Sequence, residues 1–323
     1  MSDLLVGRIV AAHGRHYVVV TESGQRLVCF TRGKKSEAAC GDQVDVQDTG
    51  SGQGVIAAIR PRRNLLSRSN SFRTKLVAAN LDQLAIVVAT SPPFSDELLG
   101  RTLVAANSIA VPVRILLNKI DLVDRVAAAR ETLALYASLG YAVDEISVKT
   151  EAPLARATLM QHFAGRTTLL VGQSGMGKSS LLNLLVPDAQ AAIREISEAL
   201  QTGKHTTTDA RLYRLEPGDD DDGTARPHPK SSPNGEGVTK AEGALIDTPG
   251  FQEFGLAHLT PGTIERAFPE IRPFLGQCRF VNCMHLQEPG CAILEARDRG
   301  NIESRRYDLF AKLTRESSGF RDR

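Results

Sequence analysis

Nine consecutive residues carry the densest chemistry in the chain. Gly172, Gln173, Ser174, Gly175, Met176, Gly177, Lys178, Ser179 and Ser180 match G-x-x-x-x-G-K-[ST] in full. The glycines let consecutive backbone N–H groups curl round phosphate oxygens, and a helix starting at the lysine adds its N-terminal partial charge. Lys178 brings a full charge to stabilise a transferring phosphoryl group, and the Ser179 hydroxyl suits Mg²⁺. Apolar Leu169-Leu170-Val171 precede the run and Leu181-Leu182 follow it, the strand–loop–helix setting such a cradle needs. The chemistry implied is the binding of a nucleoside triphosphate with Mg²⁺.

Asn118, Lys119, Ile120 and Asp121 follow the apolar run 113–117 and supply a choice of base. A carboxylate at Asp121 accepts hydrogen bonds from both N1–H and the exocyclic amine of guanine; adenine has no matching pair of donors. Asn118 can pin the loop, and the Lys119 stem can lie across the ring. Ser147-Val148-Lys149 stands where a second base-contacting loop belongs. The pattern favours GTP and disfavours an ATP-using P-loop kinase.

Asp247-Thr248-Pro249-Gly250 follows Ala244-Leu245-Ile246. Asp247 can hold Mg²⁺ through a water, and the Gly250 amide can meet a γ-phosphate. Gly203-Lys204-His205-Thr206-Thr207-Thr208 lies between the two phosphate motifs. Thr207 and Thr208 are both candidates to ligate Mg²⁺ in the triphosphate state and release it after hydrolysis. Phe251 stands where many GTPases carry a water-orienting glutamine, a task phenylalanine cannot perform. Gln252 is one position off and is expected to point elsewhere. Slow intrinsic hydrolysis follows, with His205 as the candidate catalytic group beside Lys178. Phe251 also keeps open an alternative, an RNA-binding scaffold that uses GTP only as a conformational ligand.

The five GTPase elements run in rotated order: the base motif at 118 and the serine loop at 147 precede the phosphate loop, the threonines and Asp247–Gly250. The domain is therefore read as circularly permuted. Its last switch leads straight into the C-terminal region, which nucleotide state is expected to move. There Cys278, Cys283, His285 and Cys291 offer three thiolates and one imidazole, a set that closes a tetrahedral structural Zn²⁺ site. Cys29 and Cys40 lie far away and are read as packing residues.

Residues 1–63 contain about five short apolar runs separated by glycines, the pattern of an OB-fold β-barrel able to bind RNA. Residues 64–80 are read as a linker. Arg60, Arg62, Arg63, Arg68, Arg73 and Lys75 crowd it and its approach with few acids among them, which favours phosphate contact. Alternating strand and helix patterns over 81–258 mark a doubly wound α/β domain. It is interrupted at about 216–242 by an acidic, Pro/Ser-rich insertion read as disordered. Residues 259–323 make a mostly helical, zinc-binding C-terminal domain.

The whole chain of 323 residues carries 39 basic and 37 acidic side chains, so a nucleic-acid surface must be local. No stretch reads as a signal peptide or membrane span, and the odd number of cysteines suits a reducing cytoplasm. A cytoplasmic monomer without a membrane partner is expected.

This combination resembles the bacterial RsgA (YjeQ) family of small-ribosomal-subunit biogenesis GTPases over nearly the whole chain. The residues that carry the likeness are the barrel, N-K-I-D, G-Q-S-G-M-G-K-S-S, G-K-H-T-T-T, D-T-P-G-F, and C-x₄-C-x-H-x₅-C with its E-P-G-C ending. The resemblance implies a GTPase, stimulated by the 30S subunit, that assists late maturation of that subunit. It implies that the barrel and zinc domain contact 16S rRNA, and that His205 acts catalytically only on the ribosome. The insertion at 216–242 departs from the shorter family pattern.

Overall fold

The computed structural model describes residues 4–31, 38–69, 74–187, 189, 210–215 and 243–318. Strands β1 (Leu5–His13), β2 (His16–Thr21), β3 (Arg26–Thr31), β4 (Gln43–Gly50) and β5 (Gln53–Ile59) form the N-terminal unit. In β3, β4 and β5 alternate residues turn inward, as a one-sided strand requires. Ile9, Tyr17, Val19, Leu27, Cys29, Val44, Val46 and Ile56 fill the interior. β1 pairs with β2 and with β4, β2 with β3, β3 with β5, and β5 with β4. The circuit closes and leaves no free edge within it, giving an OB-like barrel. Burial pushes the Cys29 and Cys40 thiols up to about 12, as inert packing residues require.

β6 (Leu65–Ser69) and β7 (Thr74–Ala79) form an antiparallel hairpin within the stretch read as a linker. Three of the basic residues at its approach have acidic partners within the chain. Arg60 pairs with Asp45 at 2.8 Å, Arg62 with the fully buried Asp42 at 2.7 Å, and Arg63 with Asp82 at 2.5 Å. These acids are distant in sequence, so a local scan finds no partner for them. Arg73 lies outside the described residues.

The α/β unit comprises β8 (Gln83–Ala89), α1 (Asp96–Ser108), β9 (Val113–Asn118), α2 (Val123–Ser138), β10 (Ala142–Glu145), α3 (Ala152–Phe163), β11 (Thr167–Val171), α4 (Lys178–Leu185), β12 (Arg211–Leu215) and β13 (Gly243–Asp247). Sheet order is β10-β9-β8-β11-β13-β12, parallel except for β12. β8 and β11 are buried throughout, as central parallel strands must be. One face packs on α1 and α2, the other on α3 and α4. Ser95 caps α1, its hydroxyl accepting the Leu98 N–H at 3.1 Å. One residue pair, Ala11 opposite Arg211, joins the barrel's β1 to the edge strand β12. The expected insertion at 216–242 lies outside the described residues.

Beyond β13 come α5 (Pro261–Ala267), a 3₁₀ turn (Arg272–Phe274), α6 (Ala292–Asp298) and α7 (Ser304–Ser318). Ile264, Phe268, Ile293 and Phe310 join the same apolar cluster as β8 and α1. Gly100 of α1 has no Cβ because the Leu309 side chain of α7 fills that space. Arg306, 1 % exposed, pairs with Glu270 at 2.6 Å and stacks over Phe268. Its Nη1 and Nη2 and the Glu270 Oε2 find no further hydrogen bond among the described residues. At the rim Arg101 bonds Glu97 and Glu316, and Lys312 bonds Glu97. No helix among the described residues is long and apolar enough to cross a membrane.

Candidate nucleotide site and metal centre

The carboxyl ends of β8, β9, β11 and β13 open onto one side of the sheet, where α/β folds bind ligands. β11 delivers Gly172–Gly177, and α4 begins at Lys178. Gly177 adopts φ 97°, and a Cβ there would overlap the Asn118 amide, so only glycine fits. A cleft of about 650 Å³ is lined by Ser174, Gly175, Gly177, Lys178, Ser179 and Ser180 on one side and by Asp247, Thr248, Pro249 and Gly250 on the other. Lys119 and Gln252 lie at its rim. Met176 does not face the cleft. Its side chain is 1 % exposed inside the core, so it can offer a ligand only its backbone.

Lys178 Nζ donates to the carbonyls of Gly172 at 2.7 Å and Gln173 at 2.8 Å. Burial lowers its pKa, and nearby Asp247 works against that shift. Asp247 ends β13 with Oδ1 buried and unpartnered among the described residues. Burial lifts this carboxyl to about 6, against the pull of Lys178, the Thr248 N–H and Arg211. A buried carboxylate oxygen lacking a donor beside a hydroxyl-lined cleft fits a Mg²⁺-bound water. His205, Thr207 and Thr208 lie outside the described residues.

At the other end of the site Asn118, 2 % exposed, donates from Nδ2 to the Met176 carbonyl at 3.0 Å and accepts the Val148 N–H at 3.3 Å. Lys119, at φ 65°, donates from Nζ to the carbonyls of Ser91 at 2.7 Å and Gly175 at 2.6 Å. Asp121 Oδ1 accepts from Ser147 Oγ at 2.7 Å, and Thr150 Oγ1 donates to that same hydroxyl at 2.8 Å. Ile120 carries its N–H toward the Ile146 carbonyl at 3.5 Å. The structure therefore brings the 118–121, 147–150 and 172–180 loops together. Ser91, Thr150 and the bond from Ser95 N–H to Gln173 Oε1 at 2.7 Å escaped the sequence reading. No residue pattern marks them, because each acts through a backbone group or a lone hydroxyl.

The cysteine cluster lies beside α5 and α7. Its four donor atoms, from Cys278, Cys283, His285 and Cys291, all fall within 4.8 Å of one another. His285 Nδ1 is 3.4 Å from both Cys278 and Cys291 Sγ, and those two sulfurs are 3.8 Å apart. A tetrahedral ion with metal–sulfur bonds of about 2.3 Å spans sulfur–sulfur edges of about 3.8 Å and sulfur–nitrogen edges of about 3.5 Å. The donor set thus fits a metal ion. His285 Nε2 lies 3.2 Å from Glu265 of α5, and its carbonyl accepts from Tyr307 Oη at 2.9 Å. The Glu288 carboxylate is partly buried, but the N–H groups of Met284, Gln287 and Leu286 hold it down at about 2.

The order of elements in this sheet, with the base-reading loops ahead of the phosphate loop, defines a circularly permuted GTPase. Two solved structures have the same architecture. One is YloQ, described as a circularly permuted GTPase, with a TM-score of 0.64 and 27% identity over 99% of this chain and 97% of that one. The other is YjeQ from Thermotoga maritima, with a TM-score of 0.67 and 27% identity over 98% of this chain and all of that one. The family model for the RsgA GTPase matches residues 59–220. The small ribosomal subunit biogenesis GTPase RsgA of Paraburkholderia phymatum is 55% identical over 98% of this chain and 93% of its own length. Its counterpart in Ralstonia nicotianae is 54% identical over 96% and 92%. The chain belongs to the RsgA GTPase family and is a GTP-hydrolysing enzyme. That membership favours the hydrolase over the scaffold alternative.

Proposed function

We propose that this chain binds the small ribosomal subunit through 16S rRNA and couples GTP hydrolysis to a late step of that subunit's maturation, working as a cytoplasmic monomer. The relatives' names carry the biological setting. The observation that carries the chemistry is the Asn118–Met176 bond, which ties a guanine-selective loop to a phosphate loop across one cleft. Asn118, Lys119, Ile120, Asp121 and Ser147 hold the base; residues 172–180 with Gly250 hold the phosphates. Ser179, Asp247 and one of Thr207 or Thr208 would hold Mg²⁺, which would supply positive charge to offset that of the phosphates. Lys178 stabilises the charge that develops during transfer, and His205 serves the attacking water on the ribosome. Cys278, Cys283, His285 and Cys291 hold one structural Zn²⁺ ion; the closed, thiolate-rich set leaves no position for substrate. Residues 1–63 and 259–323 are the RNA-contacting units on either side of the 81–258 GTPase domain.

Phosphate release from GTP and from ATP, each with and without 30S subunits, tests this reading. GTP turnover accelerated by subunits, with ATP inert, is the expected outcome. Turnover indifferent to subunits would defeat the ribosomal coupling.

A further inference from the structure

The hairpin β6–β7 lies outside the nucleotide-binding elements, yet it grips the segment just beyond Gly250. Ser69 N–H donates to the Gly255 carbonyl at 2.9 Å, and Ser69 forms a parallel bridge with Leu256. His258 N–H donates to Ser69 Oγ at 2.8 Å. The imidazole lies between Ser69 Oγ, 2.7 Å from Nδ1, and Ser67 Oγ, 3.1 Å from Nε2. Segment 255–258 thus lies along β6 like a short added strand. Side chains alternate along a strand, so Ser67 and Ser69 face His258 while Arg68 faces the other way. The Arg68 guanidinium sits 4.8 Å from the centroid of the Phe251 ring.

Phe251 is the anchor of the loop that carries Gly250. Its ring is 5 % exposed, packs edge-on against Phe254 at 5.3 Å, and borders a small cavity lined by Leu98, Leu99 and Thr102 of α1. Its N–H donates to the Gly172 carbonyl at 3.3 Å, joining the loop to the phosphate cradle. Arg68 therefore covers the ring that fixes the residue next to Gly250.

We propose that Arg68 is a positioning residue for GTP hydrolysis, supplied from outside the GTPase sheet: its guanidinium clamps Phe251 and so sets the Gly250 N–H against the γ-phosphate. The proposal rests on reading Asp247–Gly250 as the phosphate-facing loop. Groups that bind the base and the phosphate cradle lie elsewhere, so Arg68 acts on rate more than on affinity. The hairpin's far end is bonded to the barrel, where Ala79 N–H donates to the Cys40 carbonyl at 2.9 Å. The paired strands thereby span from the barrel, which β7 contacts through Ala79, to the hydrolytic loop, which β6 contacts through Ser69.

Intrinsic GTP hydrolysis by the full chain tests this, with Arg68→Ala, Arg68→Gln and Arg68→Lys measured beside Asp247→Ala. Arg68→Ala and Arg68→Gln should lower kcat about tenfold, the scale of one lost cation–π contact. KM for GTP should stay within about twofold of wild type, and Arg68→Lys, which keeps a cation over the ring, should recover most of the rate. An unchanged kcat in Arg68→Gln, a matching rise in KM, or a lysine variant as slow as the glutamine one would overturn it. If the alanine variant does not fold, the glutamine–lysine comparison decides alone. Asp247→Ala should abolish hydrolysis; if it does not, the reading of the loop fails, independently of Arg68.

Discussion

Asn118 and Met176 meet through a single hydrogen bond of 3.0 Å, from a buried side-chain amide to a backbone carbonyl 58 residues away. The same amide's oxygen accepts the Val148 N–H. One side chain therefore holds the base loop, the serine loop and the phosphate loop together, and a Cβ on Gly177 would strike it.

Asn118→Ala should weaken GDP and GTP binding alike, by about tenfold or more, because it strands buried polar groups without touching the γ-phosphate. Titration with a fluorescent nucleotide measures this. A loss confined to GTP would show that Asn118 serves the switches and not the loops.

Asp121→Asn should shift preference from GTP to xanthosine triphosphate, whose C2 carbonyl accepts from an amide where guanine's amine would donate. Ser147 stays within reach of the new side chain. Competition between the two nucleotides reads the outcome, and an unchanged preference would remove Asp121 from the base site.

The folded-state pKa of Asp247, about 6, stands above its ordinary value of 3.8. Between those values the native chain binds more protons than the unfolded one, so stability of the nucleotide-free protein rises as pH falls from about 6 towards about 4. The cost of ionising the buried carboxyl is fully present above about pH 6 and is on the order of 3 kcal/mol. Thermal midpoints at pH 5 and pH 7 should show this gain in wild type and lose it in Asp247→Asn. Mg²⁺–GTP affinity should fall through the same window, since the ion needs the carboxylate.

Glu265→Gln should lower metal affinity about ten- to a hundredfold, the usual effect of losing a carboxylate behind a ligating imidazole. Release to a colorimetric chelator, with the metal identified by mass spectrometry, measures it. One zinc ion per chain is expected, and affinity equal to wild type would make the His285–Glu265 contact incidental.

Arg306→Met alone should cost on the order of 3–5 kcal/mol, because Glu270 would be left charged and buried. Pairing it with Glu270→Leu should recover most of that loss. Urea unfolding of the single and double variants decides, and a double variant no better than the single would show that the pair is held by more than mutual charge.

The site was legible where one short run of backbone does the work. Gly172–Ser180 and Asn118–Asp121 announce themselves because phosphate and base recognition need fixed residue types at fixed spacing. The alternating strands and helices of 81–258 were legible for a similar reason, since central parallel strands such as β8 need unbroken apolar runs. What stayed hidden depends on partners far apart in the chain. Arg62 read as unpaired because Asp42 lies 20 residues away. Glu265 stands as far from His285 as Asp42 from Arg62, and an isolated glutamate carries no sign that it will back a metal ligand. β6 and β7 read as a linker because their short runs mix serines with charges. β12, only five residues long at the sheet's edge, offered too little pattern to be found.

The sheet order also dictates when the enzyme comes into being. β8, β9 and β10 are contiguous in sequence and adjacent in space, so the half of the sheet that bears Asn118–Asp121 can assemble before β11 is made. β11 then adds on the β8 side, and β13, bearing Asp247, is added beyond it. A chain growing from its N-terminus folds in that order. The loop at Asn118–Asp121 stands before Gly172–Ser180 is made, and the hairpin, made earlier than either, waits longest for its partner segment 255–258. Asp247 and Gly250 are made well after Gly172–Ser180, so the proposed site gains its last members late in synthesis.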